Sequence, residues 1–149
     1  MNEQKLHRLF QTRLNEFLDF LDDLKIRHRF VIKLVIGDLS EFPKTRNLAY
    51  TNHVSKNHCD IVFAPKWYLS EANFDAVMRH ELAHAFHFLY PNVFVHLRDY
   101  GLFFHKESEE IFADKCAELI FGERIYYDKD LIQTLTVCPI SCRPMHLGW

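Results

Sequence analysis

Glycine and proline are scarce in this chain, four and five of 149 residues, and neither clusters, so no flexible linker or low-complexity tract divides it. No internal repeat is present either, and a single domain over residues 1–149 is expected. Four cysteines are too few for a dense disulfide framework, which suits reduced thiols in an intracellular compartment. No apolar run approaches bilayer length, and Met1-Asn2-Glu3-Gln4-Lys5 lacks the charged-then-apolar build of a signal peptide. The expectation is a soluble, cytoplasmic protein that uses no membrane. A one-sided charge is also lacking: the net charge is −2 with both signs interspersed. Beyond Lys25-Ile26-Arg27-His28-Arg29, which reads as a solvated corner between a helix and a strand, nothing marks a dedicated nucleic-acid surface. Nothing indicates the oligomeric state. What the chain does have is apolar material, 48% hydrophobic and 15% aromatic, ample for a packed core.

The periodicities predict an α+β fold. Leu6, Leu9, Phe10, Leu14, Phe17, Leu18, Leu21 and Leu24 recur at the three-and-four spacing of an amphipathic helix over about 2–24. Residues 29–39 are rich in Val, Ile, Leu and Phe and end at Gly37-Asp38, as a buried strand closed by a turn would. Residues 48–51 suit a short second strand. Residues 58–64 suit a third, halted by Pro65, which points to a sheet edge. Ser70 then stands as N-cap of a helix over about 71–89, stopped by Pro91. A last helix over about 107–121 has Gly122 as its C-cap. On it Glu110, Ala113, Asp114, Ala117 and Phe121 share a face, and the two alanines permit close approach to a neighbour.

Within the 71–89 helix stands His80-Glu81-Leu82-Ala83-His84, an H-E-x-x-H motif. Random ordering of this composition would produce one roughly once in twenty such chains, so its context has to carry the rest. On a helix the i, i+4 spacing brings both imidazoles to one face, where they can bind the same ion, with Glu81 beside them as a base for metal-bound water. A catalytic zinc takes three protein ligands and a water, so a third ligand is required. Glu110 is the first choice, because Asp114, one turn on, could hydrogen-bond the outer nitrogen of a ligand histidine and fix its tautomer. Glu107 and Glu109 are rivals that lose the four-residue link to Asp114. His87, a turn past His84, reads as a packed residue or a support to the site, since its rise along the helix carries it away from a shared ion.

His80-Glu81-x-x-His84 with Glu110-Ile111-Phe112-Ala113-Asp114 resembles the gluzincin metallopeptidases, in which a glutamate opening an E-x-x-x-D stretch on a second helix completes the site. The small size looks most like the minigluzincins and the ImmA/IrrE-like peptidases. The matching motifs span about residues 58–119, under half of the chain, and the resemblance does not extend to the N-terminal helix or the C-terminal tail.

The resemblance implies a zincin-like single domain, with a small, mostly antiparallel sheet packed on an active-site helix and a glutamate helix. It implies peptide-bond hydrolysis with one Zn2+ held by His80, His84 and Glu110, Glu81 as general base, and a protein or peptide as substrate. An extended substrate would pair with the strand near Asp60 to Ala64. The oxyanion donor stays open among Tyr100, His105, Tyr126 and Tyr127.

Other arrangements compete. His105 as third ligand would resemble the SprT-like peptidases, although Lys106 stands where those usually have glycine. A metzincin site is excluded, because Tyr90 and His87 occupy the positions where that family has its third histidine and its glycine. Two histidines and a carboxylate could instead hold Fe(II) for oxygen activation, or the domain could be an inactive binding or inhibitory module. Cys138, Cys142 and His146 lack the two-residue cysteine spacing of a structural zinc site and read as unpaired groups. Cys59 and Cys116 read as small core residues.

Overall fold

The computed structural model describes residues 1–42, 48–93 and 109–127, and of residues 41 and 109–112 the backbone alone. Helix α1 (Glu3–Asp23) starts where Asn2 caps it, its side chain accepting from the Lys5 backbone N–H at 2.8 Å. It ends in a Schellman turn, with the Ile26 N–H bonded to the Leu21 carbonyl and Lys25 taking the left-handed conformation at φ 58°. Lys25 opens the basic corner, which leads into the first strand. Leu24 closes the helix and is exposed, so the apolar stripe stops short of it.

Three strands follow: β1 (Val31–Ile36), β2 (Ala49–Ser55) and β3 (His58–Phe63). Their order is β1-β3-β2, with β1 parallel and β2 antiparallel to β3. The sheet is thus mixed rather than mostly antiparallel. The expected edge position of residues 58–64 is also corrected: β3 is the central strand, paired on both sides. Pro65 lies beyond its last ladder residue and costs the ladder no hydrogen bond. β1 is an edge strand among the described residues, with Val31 and Val35 exposed, and is not the buried strand its composition suggests. β2 runs on past Thr51 to Ser55, through a bulge between His53 and Ser55 that leaves Val54 out of the pairing.

Helix α2 (Glu71–Leu89) has Ser70 as N-cap, accepting from the Asn73 N–H. Helix α3 (Glu109–Phe121) ends at Gly122, whose φ of 72° a residue with a Cβ adopts only at a cost. The three helices pack on one another, and α2 is at the centre, touching α1, α3, β2 and β3. Its burial on nearly all sides follows from its composition, apolar around most of its circumference.

The core is continuous from α1 through α2 to the sheet. Phe17 meets the edge of Phe86 at 5.9 Å and Phe20 meets it at 5.7 Å, while Phe63, Phe74 and Trp67 stack in a row. Phe17 has no exposed surface, so Phe17→Ala is expected to cost about 3–5 kcal/mol in urea unfolding. Polar clamps add orientation: Arg13 on α1 makes a bidentate contact with Asp75 on α2, at 2.6 and 2.7 Å.

Candidate metal centre

Helix α2 turns a polar patch into this core. His80 and Glu81 are each 5% exposed and His84 9%, although all three carry groups that water solvates strongly. Their ligand atoms lie within 4.8 Å of one another. The two imidazole rings cross at 83°, so their edges converge, with Nε2 of His84 3.2 Å from Nε2 of His80.

The protons of His80 can be assigned. Asp114 on α3, 3% exposed, places Oδ1 2.6 Å from Nδ1 of His80. A carboxylate oxygen accepts, so Nδ1 donates to Asp114 and Nε2 is the ring nitrogen that faces His84. Two ring nitrogens that close repel unless a proton or a cation lies between them. Two nitrogens bound tetrahedrally to one zinc at 2.0–2.1 Å stand about 3.3–3.4 Å apart. The observed 3.2 Å fits that bite closely, and two imidazole nitrogens are donors that suit the ion. Ala113 and Ala117, both buried, flank Asp114 on the α3 face and allow this approach.

Glu81 points its two oxygens in different directions. Oε1 lies 3.9 Å from Nε2 of His80, and Oε2 accepts from the hydroxyl of Thr51 on β2 at 2.5 Å. Sequence reasoning missed Thr51. A threonine in a strand is unremarkable, and only the packing of β2 on α2 reveals the contact. His53, two residues on and on the same face of β2, was missed as well. It stacks on Phe88 at 5.2 Å, and Phe88 in turn lies 6.1 Å from His84, so an aromatic wall borders the histidine pair.

The other candidates separate from this group. His87 lies beside Phe88, 5.9 Å between ring centroids, outside the cluster. Tyr127 donates to Oδ1 of Asp114 at 3.3 Å, on the Nδ1 side of His80. Tyr126 is 57% exposed, with the Arg124 guanidinium over its ring. The Glu110 backbone stands in α3 one turn before Asp114, but its side chain, like that of Glu109, lies outside the described residues. So do Tyr100, His105, Glu107, Cys138, Cys142 and His146. Cys59 and Cys116 are buried, and burial raises both thiol pKa values, that of Cys59 to about 11 with help from the Asp60 charge. Neither offers a thiolate near neutral pH.

No helix among the described residues is long and apolar enough to cross a membrane. Compared with protein-family models, with curated proteins and with solved structures, the chain matches none.

Proposed function

We propose that this protein is a zinc-dependent metallopeptidase with a zincin-like fold, in which His80, His84 and Glu110 hold one Zn2+ and Glu81 is the general base. The observation that carries the reading is the buried pair of Nε2 atoms 3.2 Å apart with the Glu81 carboxylate beside them. When bound, zinc supplies Lewis-acid polarisation of the scissile carbonyl and lowers the pKa of a coordinated water to about 7.

The residues divide the remaining work. Asp114 holds the His80 proton on Nδ1 and so keeps Nε2 available. Glu81 takes a proton from water and passes it to the leaving amine. Oε1 of Glu81 faces the histidine pair, on the side where that transfer has to occur. β3 is covered on both edges, so a substrate strand cannot add to it as residues 60–64 suggested. β2, which contacts α2 and is an edge among the described residues, is the strand beside the site.

Incubation with a degenerate peptide library, with new N-termini read by mass spectrometry, tests the function. Cleavage abolished by chelation and restored by zinc is expected. Uptake of dioxygen by the iron-loaded protein without cleavage would replace the peptidase by an oxygenase with the same donors.

Asp114→Ala removes the acceptor from Nδ1 of His80. Zinc affinity is expected to fall about 10–100-fold, measured by competition with a chelating dye.

A further inference from the structure

We infer that Thr51 is a positioning residue that holds the Glu81 carboxylate with Oε1 turned toward the histidine pair. Glu81 has three rotatable side-chain bonds and, without a partner from another element, nothing in α2 itself would select one arrangement of its oxygens. Thr51 makes the selection. Its hydroxyl lies 2.5 Å from Oε2 and 3.0 Å from the Glu81 main-chain carbonyl. The single hydroxyl proton goes to the nearer acceptor, the carboxylate oxygen. The carbonyl contact places the hydroxyl on both ends of the same residue.

The parts of this lock are stiff. Thr51 sits opposite Ile61 of the central strand, so the β-ladder sets its backbone position. Its β-branched side chain is restricted at χ1. Glu81 is almost wholly buried, and the Thr51 hydroxyl is the donor that the structure places at Oε2. With Oε2 tied to β2, Oε1 is left on the His80 side at 3.9 Å. A base held in one orientation avoids the reorganisation that a freely rotating carboxylate would need at each turnover.

The inference rests on the hydrolase reading of the site, and two variants with two kinds of readout separate them. Thr51→Val keeps the shape and removes the donor, while Thr51→Ser keeps the donor. With a peptide from the library cleaved by the wild type, Thr51→Val is expected to lose about 10–100-fold in kcat. KM should stay within about two-fold and bound zinc should be unchanged. Thr51→Ser should restore most of the loss. Crystal structures of the zinc-free proteins should show Glu81 in a changed or multiple rotamer in Thr51→Val and in the wild-type rotamer in Thr51→Ser. An unchanged Glu81 rotamer in Thr51→Val, or an unchanged kcat, would overturn the positioning role. A rotamer change in a protein whose wild type cleaves no peptide would keep that role and remove the peptidase.

Discussion

Glu81→Gln is expected to reduce peptide hydrolysis by about 10²–10⁴-fold, the contribution of a positioned general base, while leaving zinc bound. Glutamine matches glutamate in shape, so the buried position on α2 stays filled and its amide oxygen can still accept from Thr51. What the amide cannot do is take a proton from water. Loss of turnover without loss of metal separates the base from the ligands, and the pair of measurements is kcat on a cleaved library peptide and zinc content of the same preparation. A Glu81→Gln protein that keeps its biological effect would instead make the domain a binding or inhibitory module.

The second large effect is expected for Glu110→Ala, which should come through dialysis without stoichiometric zinc. Two imidazoles leave a catalytic zinc one protein ligand short. Glu110 precedes Asp114 by four residues in α3, and Asp114 is the residue that meets His80 across the α2–α3 contact. Residues four apart on a helix share a face, which is the ground for proposing Glu110 as the third ligand. Removing a ligand outright should weaken binding more than the loss assigned to Asp114, which acts through His80. His105→Ala is the control. Zinc kept in Glu110→Ala and lost in His105→Ala would transfer the third position to the histidine.

How far the site and fold could be read from sequence depended on the range of the forces involved. Helix ends are local, and Ser70 and Gly122, read as caps, stand where the structure ends those helices, while the Asn2 cap emerges from the structure. The sheet is not local. Pairing β1 parallel to β3 across the intervening β2 is a long-range choice that strand composition does not encode, and Pro65, read as an edge signal, stands just outside the ladder. The same distinction runs through the centre. The spacing of His80 and His84 on one helix is a local fact. Which histidine Asp114 meets is open in the sequence, and the close packing of α3 through Ala113 and Ala117 selects His80. Thr51 reaches Glu81 only because β2 packs on α2, and no pattern in residues 48–55 announces it.

The central claim is one divalent ion shared by His80 and His84. X-ray absorption at the zinc edge of protein purified without added metal tests it most directly. One zinc per chain is expected, with a first shell of nitrogen and oxygen at about 2.0–2.1 Å and the outer-shell scattering of two imidazoles. Zinc absent from the wild type, or a shell dominated by sulfur at about 2.3 Å, would contradict it.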